Sequence, residues 1–192
     1  MLKKLTLITM SVVSAFALHT AEININDKDL EIAGQFDMGQ FNDMIEPNTI
    51  FVGLKYLNAD AANSDNKQAH LESFYEANFL MMKDFKNSDF RIGLGAKINH
   101  TKDYETLPLG VEGSYLLPVK ILSLYLNASI YYAPSVLSFD NAENYLETRA
   151  NIDAEIIENG KLTLGYRKID TNYKMGNFTY NKTWYIGFKF SF

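Results

Sequence analysis

The sequence contains no cysteine among its 192 residues. This absence excludes a disulfide framework, a lipid-modified N-terminal cysteine and any thiolate metal site. Beyond the first twenty residues or so, no stretch reaches eighteen consecutive apolar residues, and the sequence therefore predicts no transmembrane helix. The mature protein must be stable without covalent cross-links.

The composition is acidic and rich in aromatic residues. The 18 Lys and Arg residues are outnumbered by 23 Asp and Glu, which gives a formal charge of −5. Nucleic-acid binding needs a basic face, so the charge argues against a nucleic-acid partner. Aromatic residues make up 14% of the chain, yet the mean hydropathy is −0.16. These two values fit a β-barrel in which the apolar and polar faces of each strand cancel in the average.

The N-terminus has the pattern of a secretory signal peptide, which we predict for residues 1–21. Two lysines precede an apolar stretch over 5–18. A cleavage site with small residues at its specificity positions ends at Ala17, and a second at Ala21 is weakened by His19. The alternative is a membrane anchor, but about fourteen residues are too few to cross roughly 30 Å of hydrocarbon as a helix.

The last nine residues alternate strictly between large apolar side chains and small, polar or charged ones. The apolar set consists of Trp184, Ile186, Phe188, Phe190 and Phe192. A period of two puts this set on one face of a strand. That face would meet lipid in a transmembrane barrel and a core in a soluble sandwich. The aromatic terminus resembles the closing strand of outer-membrane barrels, where it is part of the signal read by the barrel assembly machinery.

The predicted mature domain, 22–192, repeats this alternation with turn residues between the segments. The predicted strands are 22–27, 30–39, 49–58, 71–84, 90–100, 107–117, 122–133, 145–158, 161–170 and 178–192. Nearly every strand carries about five apolar residues on one face, close to what a barrel strand needs to cross a bilayer. We therefore predict an all-β fold, a transmembrane antiparallel up-and-down barrel of about ten strands. Eight strands are the alternative.

The links between the strands alternate in length, which predicts the orientation. Tight turns fall near 86–89, 117–120 and 158–161, whereas the links 58–70, 100–106, 134–144 and 171–177 are longer and polar. Short turns are periplasmic and long loops external in outer-membrane barrels. The C-terminus is then periplasmic and strand 30–39 runs inward, so an outward strand must precede it. Segment 22–27 supplies that strand, and 40–48 becomes a long periplasmic turn.

The face opposite the apolar one carries charges of both signs, which we predict to point into the lumen. The principal members are Glu76, Arg91, Lys97, Glu112, Glu147, Arg149, Glu155, Arg167 and Lys189. An isolated buried charge costs several kcal/mol, so the prediction is a lumen filled by ion pairs. A narrow hydrated path for ions or small solutes is the alternative. Ten strands leave little more room than the eight whose interior side chains fill, which argues against a large pore.

Polar residues at the external rim could serve catalysis or simply be solvated. His70 and His100 fall at predicted external strand ends, near acidic loop residues such as Asp103 and Asp140. A histidine beside a carboxylate could act as a general base. The chain shows no supported Ser–His–Asp arrangement and no metal-motif spacing. We predict no enzyme, no cofactor and no metal site.

Aromatic residues near the strand ends predict a girdle at the membrane–water interface, where amphipathic rings settle. Tyr131, Tyr132 and Tyr166 lie near external strand ends, and Trp184 lies on the predicted lipid face. Core packing is the alternative for any single tyrosine.

Several segments resemble the YfaZ family of Gram-negative outer-membrane barrels. They are IYYAPSVLSF at 130–139, LGYRKI at 164–169 and the aromatic closing strand. The opening NINDKDLEIAGQFDMGQF, followed by TIFVGLKY, is similar to epsilonproteobacterial members of that family. The resemblance implies an outer-membrane barrel of undefined activity, and it implies nothing about a substrate.

The sequence thus predicts a small barrel that is exported through the periplasm to the bacterial outer membrane. Its expected partners are outer-membrane lipid and, during insertion, the assembly machinery; we expect a monomer. The predicted role is structural or that of a narrow channel for ions or small solutes. Adhesion through external loops and a rim enzyme are the alternative functions.

Overall fold

A computed structural model describes residues 20–65, 71, 73–85, 88–173 and 176–191. Most of them are in β-strands. The strands are β1 (Thr20–Ile25), β2 (Leu30–Asp37), β3 (Ile50–Asn58), β4 (Phe74–Asp84), β5 (Phe90–His100), β6 (Tyr104–Thr106), β7 (Leu109–Leu117), β8 (Leu124–Ala133), β9 (Ser138–Asp140), β10 (Ala142–Ile157), β11 (Gly160–Tyr173) and β12 (Gly176–Ser191). Single 3-10 turns cover Met38–Gln40, Ala61–Asn63 and Ser135–Leu137. No helix in the described ranges is long and apolar enough to cross a membrane.

All strands except β6 and β9 form a closed antiparallel ring, in which each long strand pairs with the next one along the chain. The short β1 closes the ring because it pairs with β2 on one side and with β12 on the other. Its partners on β12 run from Ser191, opposite Thr20, to Ile186, opposite Ile25. Closure leaves the ten barrel strands without an exposed edge. The predicted ten-stranded up-and-down barrel is confirmed.

The links fall at two ends of the barrel. At the end that holds Thr20 and Ser191, here called the terminal end, the links are 38–49, 85–89, 118–123 and 158–159. At the opposite end, here called the loop end, they are 26–29, 59–73, 101–108, 134–141 and 174–175. β6 and β9 lie in two of these loop-end links and pair with each other, Thr106 opposite Ser138.

One predicted loop is mostly strand. The polar segment 171–177 was expected as a long link, but β11 continues to Tyr173 and β12 begins at Gly176. The two strands pair over this stretch, with Thr171 opposite Phe178. A register shift beyond Ile169 accommodates the extra residue Tyr180. The polar composition predicted a loop wrongly. Two strands can extend their ladder beyond the bilayer, where an outward apolar face is not required.

The outer surface is apolar and much of the interior is polar, the reverse of a soluble protein. Each of the ten barrel strands exposes at least one large apolar side chain on the outer face. Examples, one or two for each strand, are Ile23, Ile32, Leu54, Phe79, Leu94, Ile98, Val111, Ile130, Ile152, Leu164, Trp184 and Ile186. Exposed apolar surface of this extent on a monomer marks an interaction or membrane surface, and a continuous band around a barrel is the lipid face.

Aromatic and aliphatic side chains fill the loop end of the lumen. This apolar plug consists of Leu57, Ala59, Phe74, Tyr104, Ala133, Ala142, Tyr145, Ile169 and Tyr180. The Phe74 ring centroid lies 6.5 Å from that of Tyr145 and 5.8 Å from that of Tyr180, within the range of favourable aromatic pairs. Tyr104 reaches the plug from β6, and burial raises the pKa of its phenol well above the ordinary value. The loop-end links therefore contribute to the plug as well as covering it.

Candidate functional site in the barrel lumen

Four charged side chains meet below the plug and form a cross-lumen cluster: Lys55, Glu76, Lys97 and Glu147. The Nζ of Lys55 lies 2.5 Å from Glu76 Oε2 and 3.1 Å from Glu147 Oε1. The Nζ of Lys97 lies 3.3 Å from Glu76 Oε2 and 2.9 Å from Glu147 Oε2. All four side chains are almost completely buried. Each charge has two opposite partners, the arrangement under which buried charges are tolerated.

The cluster joins strands from opposite sides of the barrel. Lys55, Glu76 and Lys97 lie on the neighbouring strands β3, β4 and β5, whereas Glu147 lies on β10. Around the ring, β3 and β10 are five strands apart in either direction. A direct Lys55–Glu147 contact therefore spans the whole lumen.

Two tyrosines support the cluster. The hydroxyl of Tyr145 donates to Glu147 Oε2 at 3.0 Å. The ammonium of Lys97 lies 3.9 Å from the centroid of the Tyr131 ring, a favourable cation–π distance. The ring fits because Gly95 and Gly110 face each other on β5 and β7, and a Cβ on either glycine would overlap it.

A second group of charges surrounds Glu31. Arg149 donates to both carboxylate oxygens of Glu31, at 2.8 and 2.6 Å. Arg167 donates to Glu31 Oε2 at 2.7 Å and to the Asn181 side-chain oxygen at 2.9 Å. Such bidentate, charge-assisted bonds are strong and fix geometry. Asn181 in turn donates to Asp29 at 2.8 Å.

A third group lies nearer the terminal end. The Nζ of Lys189 is 3.1 Å from Asp153 Oδ2 and 3.4 Å from Glu22 Oε2. Asp153 also accepts bonds from Asn127, Asn151 and Thr163, at 3.1, 2.7 and 2.8 Å. This carboxylate is therefore satisfied from β8, β10, β11 and β12 together.

Between these groups, the terminal half of the lumen holds a polar cavity of about 560 Å³, here called the polar cup. Thr20 and Ser191 line it, so it reaches the terminal end of the barrel. Its charged lining has six cations and six carboxylates: Lys55, Arg91, Lys97, Arg149, Lys161, Lys189, Glu22, Glu76, Asp84, Asp89, Glu112 and Asp153. The cup is wide enough for water and small solutes, but the cross-lumen cluster and the plug lie at its inner end.

The nine predicted lumen charges do not form one network. Glu76, Lys97 and Glu147 belong to the cross-lumen cluster, Arg149 and Arg167 to the Glu31 group, and Lys189 to the third group. The other three have local partners.

Of those three, Arg91 forms an ion pair with Asp84 near the terminal end. Glu112 accepts a bond of 2.6 Å from the Tyr131 hydroxyl, and Glu155 lies 3.5 Å from the Tyr125 hydroxyl.

Two central residues, Lys55 and Glu31, were absent from the predicted set. A signal for Lys55 was available, since it is the only charged residue of β3 and a single charge on a barrel strand is far cheaper in the lumen than against lipid. Glu31 lies on the polar face of β2, but nothing in the sequence pairs it with two arginines more than a hundred residues away.

On the closing strand, the predicted apolar side chains that the structure describes lie on the outer face. Trp184 is 66% and Ile186 56% exposed. Phe188 and Phe190 are half-buried, and Phe192 lies outside the described residues.

The predicted aromatic girdle needs one correction. The Tyr166 and Trp184 rings meet on the outer face at 5.1 Å, and Tyr132 is exposed as well. Tyr131 does not face outward: it is buried in the lumen. Alternation along β8 puts Tyr131 on the face of Asn127 and Ser129 rather than on that of its neighbour Tyr132.

Of the two predicted rim histidines, the structure describes His100, and its contact is with a carboxylate that was not among the predicted acidic partners. His100 Nδ1 lies 2.8 Å from Glu105 Oε1, and both side chains are more than half exposed. His70 lies outside the described residues. Within the described part of the chain, no three His, Asp or Glu side chains cluster so as to hold a metal ion.

Asp65 ties the link 59–73 to the start of β12. Its backbone N–H donates to the Thr179 carbonyl at 3.2 Å, and the Thr179 N–H donates to Asp65 Oδ2 at 3.2 Å. Hydrogen bonding to Thr179 holds the pKa of the Asp65 carboxyl below its ordinary value. The ionised form of Asp65 therefore favours the tethered link.

Comparison with solved structures finds membrane channels at low identity. A KdgM porin gives a TM-score of 0.45 at 9% identity and covers 90% of this chain and 98% of its own. The outer membrane channel DcaP of Acinetobacter baumannii gives 0.42 at 10% identity, covering 89% and 54%. A triple mutant of the Rhodopseudomonas blastica porin gives 0.33 at 12% identity, covering 93% and 58%.

Sequence comparison identifies the family directly. No curated protein sequence matches the chain. The family model described as YfaZ precursor matches residues 81–192, from within β4 to the C-terminus and more than half of the chain. This chain belongs to the YfaZ precursor family.

Proposed function

We propose that this outer-membrane β-barrel is closed at rest and has a structural or narrow-channel role, passing at most ions and small solutes. The observation that carries the proposal is the Lys55–Glu147 contact across the lumen at 3.1 Å. A water-filled pore needs an uninterrupted polar path, and this contact with its partners occupies the middle of that path.

The apolar plug supports the same conclusion from the loop end. Leu57, Phe74, Tyr145 and Ile169 are completely buried within the lumen. Hydrophobic constrictions stop conduction by excluding water. The cross-lumen cluster and the apolar plug lie one after the other along the lumen. Together they argue against a permanently open pore.

The polar cup supports a narrow-channel role as part of the proposal. It extends from the terminal end to the cross-lumen cluster, so only the inner part of the lumen separates it from the loop end. Movement of the plug, together with loosening of one ion pair, would leave a thin path lined by both charge signs. Selectivity would then follow the sign left unpaired.

The proposal also covers the membrane around the barrel, its export, its orientation and its oligomeric state. The exposed apolar side chains on the outer face support outer-membrane lipid as the surrounding partner. Export through the periplasm with help from the assembly machinery follows from the predicted signal peptide. We place the loop end outside the cell, treat the barrel as a monomer and assign no catalytic role. The opening segment supports an epsilonproteobacterial type.

Solute uptake into proteoliposomes tests the proposal. Vesicles containing the refolded protein should swell no faster in a disaccharide than protein-free vesicles, and at most slightly faster in a small ionic solute. A matched sample with an established general porin shows that the vesicles report uptake. Rapid disaccharide entry through the unmodified protein would contradict the closed lumen.

A further inference from the structure

Asn99 lies inside the barrel with neither end of its amide paired. The residue is completely buried on β5, and both its Oδ1 and its Nδ2 lack hydrogen-bond partners among the described residues. Alternation along β5 puts its side chain on the lumen face, because the neighbours Ile98 and His100 are exposed. A buried amide without partners costs free energy, so a binding partner is expected at this position.

Thr106 on β6 supplies a further free polar group beside Asn99. The two residues are directly opposite each other in the β5–β6 pair, so their side chains share one face of the sheet. Thr106 is completely buried as well, and its Oγ1 has no hydrogen-bond partner in the described part of the chain. An amide donor, an amide acceptor and a hydroxyl therefore lie side by side on the lumen face.

We propose that Asn99 and Thr106 bind an ordered water molecule at the loop end of the lumen. Water fits this set because it donates and accepts at once, and a buried water typically makes about three hydrogen bonds to otherwise unpaired groups. The charges nearby favour a neutral ligand. Lys97, two residues earlier on the same face of β5, disfavours a cation, and Glu76, directly opposite Asn99 on β4, disfavours an anion.

The water site lies between the cross-lumen cluster and the apolar plug. Glu76 belongs to the cluster and lines the polar cup, whereas Tyr104, two residues from Thr106 on the same face of β6, belongs to the plug. The hydroxyls of Tyr104 and Thr171 repeat the pattern: they are neighbours, but their separation or angle does not give a hydrogen bond. A bridging water is expected at such a contact.

This position refines the proposed function, on which its meaning for transport rests. The plug excludes solutes, but it holds water along β5 and β6. The side of the lumen next to these strands is then the part of the barrier that already contains water in the closed barrel.

A crystal structure at a resolution that shows ordered water tests the site directly. We expect density about 2.7–3.2 Å from both the Asn99 amide and the Thr106 hydroxyl. A direct hydrogen bond between these two side chains, or no density beside them, would overturn the site. Uptake of a disaccharide by proteoliposomes is a separate measurement: rapid uptake together with density at Asn99 would contradict the closed lumen and support the water site.

A double-mutant cycle tests the shared water in the folded barrel. Thr106→Val keeps the side-chain shape but removes the hydroxyl, and Asn99→Leu removes the amide. If one water links the two groups, the double variant should lose less free energy of unfolding than the two single losses added together, because the second substitution has no bound water left to release. Additive losses would overturn the shared site.

Asn181→Leu is the matched control for Asn99→Leu. Asn181 is equally buried, but its Oδ1 accepts from Arg167 at 2.9 Å and its Nδ2 donates to Asp29 at 2.8 Å. Its replacement leaves two charged groups without this partner, so it should destabilise the barrel more than Asn99→Leu does. Equal losses of unfolding free energy would show that Asn99 is held by the protein as firmly as Asn181 is, and would overturn the water site.

Discussion

The ammonium of Lys55 lies 3.1 Å from Glu147 Oε1 although their strands stand on opposite sides of the ring. The contact is possible because a ten-stranded barrel has a lumen narrow enough for two long side chains to meet at its centre. It ties the first part of the chain to the last part through the interior, while β1 and β12 tie them through the wall. The contact through the interior is the structural basis of the proposal that the lumen is closed.

Glu147→Gln should destabilise the barrel strongly. The substitution keeps the shape of the side chain but leaves the buried Lys55 and Lys97 with Glu76 as their remaining carboxylate in the cluster. Breaking a buried pair from one side costs about 3–5 kcal/mol. Unfolding in urea, followed by the gel mobility of the folded barrel, measures the change.

Glu155→Gln is the matched control for that variant. Glu155 lies on the same strand and also faces the lumen, but its described partner is the Tyr125 hydroxyl at 3.5 Å. The control should lose little stability. If both variants lost the same free energy of unfolding, the cross-lumen cluster would stabilise the barrel no more than the Glu155 contact does.

Ile186→Arg should impair insertion into the membrane. Ile186 is on the lipid face of β12 and 56% exposed, and an arginine on that face costs about 2–4 kcal/mol near the bilayer midplane. Ile186→Leu keeps the apolar character and should insert normally. The yield of folded barrel in outer membranes measures both. If the arginine variant assembled as well as the leucine variant, the face assignment of the closing strand would be wrong.

The two ends of the barrel should lie on opposite sides of the membrane. An epitope inserted after Ala62, in the loop-end link 59–73, should be labelled on intact cells. One inserted after Glu158, in the two-residue turn between β10 and β11, should be labelled only after the outer membrane is opened. Insertion at Gly160 is less suitable, since that residue is buried at the start of β11. The reverse labelling pattern would invert the proposed orientation.

The tether between Asp65 and Thr179 should weaken in acid. The pKa of Asp65 is lowered in the folded state, so its contribution is fully present above the ordinary pKa of about 3.9. It is lost as the pH falls through the lower folded value. Hydrogen exchange of the Thr179 amide, corrected for the intrinsic effect of pH, should rise in that range. Asp65→Asn should remove the additional acid dependence; an unchanged profile in that variant would refute the role of the carboxylate.

The fold was predictable from the sequence to the extent that one face of each strand must meet lipid. Period-two alternation identified the barrel strands, and the closing strand from Trp184 onward was the clearest case. The strand ends were less predictable. Around Thr171 the alternation is lost, because β11 and β12 extend their pairing beyond the region where an apolar outer face is needed.

The lumen was predictable in its chemistry but not in its pairings. Alternation indicates that Glu147 points inward, but it does not indicate that Lys55 reaches it from the opposite wall. Contacts across a lumen depend on the stagger of strands distant in sequence. Tyr131 is a different case: alternation from Asn127 indicates that its side chain faces the lumen, and Gly95 and Gly110 leave the space that its ring occupies. The plug was missed because its members come from strands and from loop-end links together.

Single-channel recording in planar bilayers tests the central claim most directly. The unmodified protein should show either no current or small, brief steps with little ion preference, because the charged lining of the polar cup has equal numbers of cations and carboxylates. Glu147→Gln, in the fraction that still folds, should open more often because the Lys55 bridge is lost, whereas Glu155→Gln should match the unmodified protein. A large, stable, water-filled conductance in the unmodified barrel, wide enough for a disaccharide, would contradict the account.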